Sequence, residues 1–495
     1  MPQKFQNFIN GKWVDAKSGR TFENRNPANW DEVIGIFPKS NKDDVDEAVK
    51  AARSAFEKWR LVPAPKRGDI MRAIGDIMVA RKEELAREMT REMGKVLAET
   101  RGDVQEGIDT AYYASSEGRR LFGHTVPSEL PNKFAMAIRV PIGVGGIITP
   151  WNFPMAIPTW KIFPAVLSGN TVVFKPATDT PKTATTLVEI MMEAGIPEGV
   201  VNIVHGGGSE VGNAITSHPD IDLISFTGST AVGKQISKDA SDTLKRISLE
   251  LGGKNAQIVM DDADLDLALD GVLWGAFGTT GQRCTATSRL ILHEKIYDKF
   301  MSMLVDRTTK LRLGDGLLPA TEVGPCVNES QRKTVQRYVE IGQKEGATLM
   351  AGGSIAGGNG LSKGWFYEPT IFADVMPEMR IAKEEIFGPV LSVIRTKSLE
   401  ESIAVLNNTV YGLSSSVYTR DVNKAFVAVR DIKAGITYIN VPTIGAEAHL
   451  PFGGVKQTGN GHREGGWTVY DFFTEWKAVY VDYSGKLQRA QIDNY

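Results

Sequence analysis

From about Val140 onward, short runs of β-branched and aliphatic residues alternate with short helical stretches. The first series of such runs comprises Gly143–Thr149, Thr171–Lys175, Val200–His205, Leu223–Thr227 and Arg246–Leu251. The helical stretches between them are Thr180–Ala194, Ser209–Ser217 and Ala231–Ala240. Strands that alternate with helices in this way form parallel sheets with right-handed crossovers, so we predict an α/β fold with a doubly wound sheet.

Helical periodicity dominates residues 1–120, and a second α/β series follows the first. Asp43–Trp59 and Lys66–Met93 carry apolar residues three and four positions apart among charged ones, as surface-packed helices do. The second series has strands near Ala256–Val259, Ser288–His293 and Val390–Arg395 and helices near Leu265–Gly278 and Lys295–Lys310. The mixed composition of Tyr470–Tyr495 suits an added strand and tail in an oligomer contact, with a disordered terminus as the alternative.

Composition excludes several classes of protein. The 57 Lys and Arg nearly balance the 59 Asp and Glu, so no overall field attracts nucleic acid or an anionic membrane. We expect no signal peptide, and no uncharged apolar run approaches the roughly 20 residues that span a bilayer. The two cysteines exclude a disulfide framework or a cysteine cage, and the six histidines lack metal-ligand spacing. We therefore expect a cytoplasmic enzyme of about three domains that binds no metal.

Two glycine loops have the context of phosphate sites. The loop at 205–209, with Gly207, and the loop at 226–230, with Gly228 and Ser229, each follow a strand and open a helix, whose N–H groups attract anions. Plain turns are the alternative for either loop alone, but two at the carboxyl ends of neighbouring strands favour a nucleotide crevice. By contrast, 142–146 lies inside a strand and fits the dinucleotide fingerprint poorly. Lys175 ends a strand and could reach a ribose hydroxyl or a phosphate, although most lysines are solvated surface charges.

Cys284 is the candidate nucleophile. It lies on a polar, glycine-containing loop, TTGQRCT, where Arg283 or helix N–H groups would lower its pKa and populate the thiolate. Cys326, which has no acid or amide motif around it, is interpreted as structural. Because the six histidines are scattered through the sequence, a Cys–His hydrolase has little support.

A thiolate that attacks a carbonyl needs an oxyanion site and a base. Asn152, between Pro150 and Pro154, is the candidate for the first. Glu250 lies in an apolar strand, where desolvation would raise its pKa into the range of a general base. A salt-bridged structural carboxylate is the alternative for Glu250.

Together these segments resemble the aldehyde dehydrogenase superfamily, over essentially the whole chain. The matching motifs are FING (8–11), TPWNFP (149–154), GNTVVFKPA (169–177), FTGST (226–230), LELGGK (249–254), GQRCT (281–285), EEIFGPV (384–390) and PFGG (451–454). The resemblance implies a Rossmann-like cofactor-binding domain (1–121 and 141–252), an α/β catalytic domain (253–449) and a small β oligomerisation arm with a tail (122–140 and 468–495). Relatives are dimers or tetramers, so a homo-oligomer, with a homotetramer as the working assumption, is implied.

The resemblance also implies roles in catalysis. Cys284 would form a thiohemiacetal whose oxyanion is held by the Asn152 amide and the Cys284 backbone N–H, and hydride transfer would leave a thioester. Glu250 would activate the water that hydrolyses it. Relatives that pass the acyl group to coenzyme A typically lack this glutamate, so the non-acylating branch is implied.

NAD is the implied cofactor. Lys175 and Glu385 would bind ribose hydroxyls, Phe387 would lie beside the nicotinamide ribose and Ser229 beside the pyrophosphate. Further cleft residues are Thr149, Trp151, Thr178, Gly207 and Gly228. Strictly NAD-dependent relatives often have a glutamate where this chain has Thr178, so NADP is not excluded.

The implied substrate is a small aldehyde in a tunnel walled by Phe153 and Trp160. Similarity to the α-aminoadipic semialdehyde dehydrogenases would pair Glu106 with the substrate ammonium and Arg283 with its carboxylate, while Gly445 and Ala446 donate backbone N–H groups. An α-ketoglutaric semialdehyde would use Arg283 but not Glu106, which could equally be a solvated helix residue. A broad-specificity aliphatic aldehyde dehydrogenase and a catalytically silent protein on the same scaffold are the remaining alternatives.

Overall fold

The computed structural model describes residues 2–358 and 360–492. Strands precede the first helix, at β1 (Asn7–Ile9), β2 (Lys12–Val14), β3 (Thr21–Asn26) and β4 (Asn29–Pro38). Residues 2–120 are therefore less helical than the sequence predicted. β1 and β2 carry too few residues to show a period of two, whereas β3 and β4, of six and ten residues, were not predicted although they are long enough to show one. The expected helices follow as α1 (Lys42–Trp59), α2 (Ala64–Ala80), α3 (Lys82–Met93) and α4 (Leu97–Glu117).

The first α/β series forms the predicted parallel sheet. Its elements, with the strands of the hairpin that precede it, are β5 (His124–Pro127), β6 (Lys133–Pro141), β7 (Val144–Ile148), α5 (Ala156–Ser168), β8 (Thr171–Lys175), α6 (Pro181–Glu193), β9 (Val201–Ile203), α7 (Asn213–Ser217), β10 (Leu223–Thr227), α8 (Thr230–Ser241) and β11 (Arg246–Glu250). The strand order is β11-β10-β7-β8-β9-β1-β2, parallel from β11 to β9. The chain runs outward from β7 in both directions, so the switch point lies between β7 and β10.

The second series forms another mostly parallel sheet. Its elements are β12 (Asn255–Val259), α9 (Leu265–Phe277), β13 (Thr287–His293), α10 (Tyr297–Thr308), α11 (Glu329–Lys344), β14 (Thr348–Ala351), β15 (Thr370–Ala373), α12 (Arg380–Lys383), β16 (Val390–Thr396), α13 (Leu399–Asn407), β17 (Ser414–Tyr418), α14 (Val422–Asp431) and β18 (Ile436–Ile439). The order is β14-β15-β16-β13-β12-β17-β18. Each sheet is covered by helices, and its strands are largely buried, as parallel sheets require.

The last elements in the described part of the chain are α15 (Val469–Phe473) and β19 (Thr474–Asp482). β19 pairs antiparallel with β6 over nine residue pairs, and β5 adds to the other edge of β6. The predicted arm and tail thus share one sheet, although residues 493–495 of that tail lie outside the described residues. The division into three domains stays a prediction.

No helix in residues 2–358 and 360–492 is long and apolar enough to cross a membrane.

Candidate active site

A cleft opens at the carboxyl ends of the strands beside the switch point. Its empty volume is about 700 Å³. The lining residues come from the loops after β7 and β10, the end of β11 and the second sheet: Pro150, Trp151, Asn152, Thr227, Gly228, Ser229, Leu251, Gly252, Cys284, Gln331, Glu385 and Phe387. Ligands of doubly wound sheets bind in this position.

Cys284 lines both this cleft and a second cavity, of about 960 Å³, which we call the tunnel. The thiol lies on the loop that leaves a tight turn, Gly278–Gly281, in which Thr279 and Thr280 have φ of 53° and 58°. The Asn255 side chain donates a hydrogen bond of 2.7 Å to the Cys284 carbonyl and fixes this loop. The thiol is therefore reachable from two sides.

The expected lowering of the Cys284 pKa is wrong. Burial raises the pKa of the thiol, and the carboxylates of Glu385 and Glu250 raise it further. The Arg283 guanidinium is paired with Glu99 and is not among the groups that lower the pKa of the thiol. The backbone N–H groups of Cys284 and Thr285 oppose the shift without cancelling it.

Asn152 lines the cleft, on the loop after β7. Its side chain is 2% exposed. The buried Oδ1 has no hydrogen-bond partner within the described residues, and the amide nitrogen donates to none of them. An amide held in a buried loop with its donor free is suited to an oxyanion.

Glu250, the last residue of β11, is 3% exposed and neither carboxylate oxygen has a partner in the described part of the chain. As expected, burial raises its pKa, and the nearby Glu464 adds to the shift. Lys161 forms a buried ion pair with Glu464 and opposes the shift. Gly453 packs against Glu250, since a Cβ at this glycine would lie 2.5 Å from Oε1. An unpaired, protonatable carboxyl beside a thiol is a candidate general base.

Lys175 ends β8 and is 5% exposed. Its Nζ donates to the Pro176 carbonyl at 2.9 Å, and burial lowers its pKa to about 8. Thr149, 4% exposed, donates its backbone N–H to the Lys175 carbonyl at 3.2 Å, which ties the two strand ends together. Thr178 is exposed on the loop after β8.

The two glycine loops do not follow neighbouring strands, contrary to the sequence prediction. β9 and β10 are separated in the sheet by β7 and β8, so the loops lie on opposite sides of the switch point. Gly207 begins a π-helical turn, Gly208–Gly212, and is not among the residues that line the cleft. Gly228 and Ser229 do line it, and Ser229 is the N-cap of α8.

The wall opposite α8 comes from the second sheet. Glu385 is half-buried and accepts a hydrogen bond of 2.9 Å from the Gly253 N–H, and desolvation of its carboxyl raises its pKa to about 7. Phe387 has φ of 58°, and its carbonyl accepts a hydrogen bond of 2.7 Å from Gln331. The Phe387 and Trp151 rings meet edge to face, with centroids 5.4 Å apart.

The tunnel has the aromatic wall that the sequence predicted. Phe153, Trp160, Gly445 and Ala446 all line it, together with Phe452, whose ring centroid is 4.8 Å from that of Trp160. Gly445 has φ of 118°, a backbone conformation that favours glycine.

Charged groups line the tunnel beside Cys284. Arg283 binds Glu99 at 2.8 Å, with both side chains 10% exposed, and its Nε donates to the Thr279 hydroxyl. Lys95 and Asp103 form a fully buried pair at 2.6 Å. Glu106 is left without a counter-ion of its own: its Oε1 is buried and unpartnered among the described residues, and burial raises its pKa to about 8.

Sequence reasoning missed Glu99, Asp103, Lys161 and Glu464. Glu99 and Asp103 precede Glu106 by seven and three positions on α4, so they share its helix face, and this spacing was a signal that could have found them. No comparable signal points to the Lys161–Glu464 pair, because its members are joined only by the fold. No cluster of three potential metal ligands of the His, Cys, Asp or Glu type occurs in the part of the chain that the structure describes.

The chain matches the family model described as "Aldehyde dehydrogenase family" over residues 13–479. It is 44% identical to the α-ketoglutarate semialdehyde dehydrogenase of Haloferax volcanii, over 98% of this chain and 100% of that one. It is 42% identical to the α-ketoglutaric semialdehyde dehydrogenase of Bacillus subtilis, over 96% and 98%. Among solved structures, betaine aldehyde dehydrogenase from Staphylococcus aureus in complex with NAD⁺ superposes with a TM-score of 0.95 at 37% identity, over 97% of this chain and 96% of that one.

Proposed function

This chain belongs to the aldehyde dehydrogenase family, and from that premise we propose that it oxidises a carboxylate-bearing semialdehyde to the acid, with NAD as hydride acceptor. The observation that carries the proposal is the position of Cys284, which lines both the cleft and the tunnel. An aldehyde in the tunnel and a cofactor in the cleft would meet at this thiol. Family membership makes the protein an NAD(P)-dependent oxidoreductase; the substrate and the residue roles are the proposal.

The cleft residues fit a dinucleotide. The N-terminus of the twelve-residue α8, with Ser229 and Gly228 before it, offers N–H groups to a pyrophosphate. Two groups are suited to ribose hydroxyls: the carboxyl of Glu385, on the loop after α12, and the ammonium of Lys175, at the end of β8. The Trp151 and Phe387 rings form an apolar edge for a nicotinamide. NAD is favoured because the solved relative is an NAD⁺ complex. NADP stays an alternative because Thr178 is exposed and carries no negative charge that would repel a 2′-phosphate.

In the chemistry that we propose, the sulfur of Cys284 attacks the aldehyde carbon, and the proton of the thiol passes to a base. The Asn152 amide and the Cys284 backbone N–H stabilise the oxyanion that forms. When bound, NAD supplies the hydride acceptor that turns the thiohemiacetal on Cys284 into a thioester.

Hydrolysis of the thioester needs an activated water. Glu250 is the base in this proposal, because its carboxyl is buried, unpaired and close enough to Cys284 to raise the pKa of the thiol. Its own raised pKa keeps it protonated until the pH rises, so deacylation should accelerate with pH. The buried Lys161–Glu464 pair lies beside it and modulates its charge.

The substrate that we favour is α-ketoglutaric semialdehyde. The two relatives described above are named for it, whereas α-aminoadipic semialdehyde, our first expectation from sequence, has no such support. In the tunnel, Glu99 and Thr279 occupy the NH2 and Nε donors of Arg283. The remaining NH1 donates to no residue of the described chain and is available to a substrate carboxylate.

The test is a comparison of kcat/KM for α-ketoglutaric, α-aminoadipic and succinic semialdehydes and an aliphatic aldehyde, each with NAD and NADP. We expect α-ketoglutaric semialdehyde with NAD to be preferred. Replacing the ion pair as a unit, with Glu99→Gln and Arg283→Met together, leaves no unpaired buried charge and should abolish this preference while sparing the aliphatic aldehyde. A wild-type preference for uncharged aldehydes would refute the carboxylate anchor.

We also propose that the enzyme is a cytoplasmic homo-oligomer. A catalytic thiol and a second free cysteine are compatible with a reducing compartment. The sheet formed by β5, β6 and β19 exposes large apolar residues, which supports a role as the oligomerisation arm.

A further inference from the structure

A small cationic cavity lies behind the active site, between β12, β17 and the end of α13. It is lined by Lys254, Asn255, Arg289, Leu406, Thr409, Tyr411, Gly412, Leu413, Ser414, Lys433 and Ala434. It shares no lining residue with the cleft or the tunnel, and the proposed function assigns no role to any of its residues. Among its described lining residues there is no carboxylate.

Positive charge accumulates around this cavity. Arg289 is 2% exposed and donates to the carbonyls of Lys254, Val405 and Leu406, so no anionic side chain neutralises it. Burial lowers the pKa of Lys456, and Arg289 and Lys433 lie close enough to lower it further; its Nζ donates to the Asn407 carbonyl.

Lys254 is the residue that points to a ligand. Its side chain is 2% exposed, lines the cavity, and has an Nζ with no acceptor in residues 2–358 and 360–492. Burial and Arg289 lower its pKa to about 7, while Glu385 and Glu384 oppose that shift only from outside the cavity. A buried lysine without an acceptor is costly unless an anion or a water takes its hydrogen bond.

We propose that this cavity binds a single monatomic anion, chloride in the cell, on Lys254 with Arg289 and Lys433 around it. The empty volume is about 210 Å³, and after the lining atoms are allowed for it has room for about one water-sized particle. That excludes a phosphate or a carboxylate ligand, and it suits a halide, which is only slightly larger than water. The excess of cations over anions favours the halide over a water molecule.

The position of the site gives the anion a structural role. Lys254 precedes Asn255, whose side chain donates to the Cys284 carbonyl at 2.7 Å and accepts from the Ser414 N–H at 3.0 Å. An anion on Lys254 would therefore stabilise the start of β12 and, through Asn255, the loop of the nucleophile. This inference is independent of the substrate proposed above.

Bromide replaces chloride and has an anomalous X-ray signal, so crystals of the wild-type protein soaked in sodium bromide test the site directly. We expect an anomalous peak within hydrogen-bond distance of Lys254 Nζ. Bromide bound only elsewhere on the protein, with a water or nothing at Lys254, would overturn the proposal.

A solution measurement uses the same protein with a matched control. In sodium chloride, the wild-type Tm should exceed that in sodium gluconate of equal ionic strength by about 2–5 °C, and the difference should saturate. Lys254→Met should lose this difference, and Lys310→Met, which removes an exposed lysine paired with Asp306, should keep it. Equal wild-type Tm values in the two salts would contradict chloride binding, and so would an unchanged chloride response of Lys254→Met. If Lys254→Met does not fold, the wild-type salt comparison and the bromide peak still decide.

Discussion

Cys284 faces two carboxyl groups, Glu250 and Glu385, and both raise the pKa of its thiol. The free protein therefore keeps the sulfur protonated at neutral pH, and the nucleophile must be generated by transfer of its proton to a base. Glu250, whose own pKa is raised by burial, is able to exchange protons with a group of this kind. The thiol of Cys284 would therefore act as a nucleophile only after a base has taken its proton.

Glu250→Gln separates acylation from deacylation. The amide cannot take a proton from water, so the thioester on Cys284 should persist. Stopped-flow absorbance at 340 nm should show a burst of about one reduced cofactor per active site, followed by turnover slowed on the order of 10²–10⁴-fold. A variant that retains full steady-state turnover would remove Glu250 from the deacylation step.

Glu106 should make substrate affinity depend on pH. Its carboxyl is protonated below its pKa of about 8, can then donate to a substrate carboxylate, and becomes repulsive when it ionises at higher pH. The KM for α-ketoglutaric semialdehyde should therefore rise, on the order of tenfold, between pH 7 and pH 9. Glu106→Gln should flatten this dependence. A KM for this substrate that stays constant or falls over this pH range would contradict the role given to Glu106.

The residues around Cys284 show how much of the candidate site could be predicted from the sequence. Asn152, Glu250 and Cys284 each lie in a short sequence motif, so each could be predicted as a site residue from its immediate neighbours in the sequence. The surroundings of Cys284 could not, because the direction of Arg283 depends on Glu99, 184 positions away in the chain. The thiol pKa does not fall as predicted, first because burial raises it and then because Glu385 and Glu250 add to that shift, and the fold alone brings these groups to Cys284.

At the scale of elements, Arg246 joins the first sheet to the carboxyl-terminal segment. From β11, its NH1 donates to the carbonyls of Asp471, Phe472 and Thr474, at 2.8–3.0 Å. These carbonyls end α15 and begin β19, so one guanidinium satisfies the acceptors that the helix end leaves free. The arm sheet is thereby anchored to the cofactor-binding sheet.

Arg246→Met should loosen that anchor. Three carbonyl acceptors would lose their donor, two of them in partly buried hydrogen bonds, and amide hydrogen exchange in β19 should accelerate on the order of tenfold or more. Arg420→Met, which removes an exposed arginine paired with Asp264, is the control and should leave exchange in this strand unchanged. Wild-type protection of β19 in Arg246→Met would show that the strand is held by β6 alone.

The strands differ in how well they can be predicted from the sequence. β8 and β10 were predicted residue for residue, because buried parallel strands are compact apolar runs between clear turns. β1 and β2 were missed, since three residues cannot display a period and their pairing partners are chosen by the tertiary structure.

At the scale of the whole molecule, the active site exists because two sheets face each other. The first contributes Asn152 and the residues that follow Glu250, and the second contributes Glu385 and the loop of Cys284. Glu250 itself lies close enough to Cys284 to raise the pKa of the thiol. The parallel class of each sheet followed from the alternation of strands and helices. Their strand orders, and the separation of the loops after β9 and β10, depend on crossovers that no local pattern records.

The arm sheet makes a prediction about assembly. Phe134, Trp476 and Tyr480 are exposed on it by 45%, 45% and 67%. Such a surface should be covered by another subunit, and light scattering after gel filtration should give a dimer or a tetramer. Replacing Phe134 and Tyr480 by Asp should lower the oligomeric mass. A monomeric wild-type protein would contradict the assignment of this sheet as the oligomerisation arm.

The central claim is that Cys284 carries the oxidation of an aldehyde, and the chain contains its own control in Cys326, which is fully buried. The decisive measurement is aldehyde-dependent reduction of NAD at 340 nm by the wild-type protein, Cys284→Ala and Cys326→Ala. We predict that Cys284→Ala loses activity by on the order of 10³-fold or more, while Cys326→Ala keeps it within a few-fold. Aldehyde-dependent reduction that survives Cys284→Ala, or a wild-type protein without any, would contradict the account.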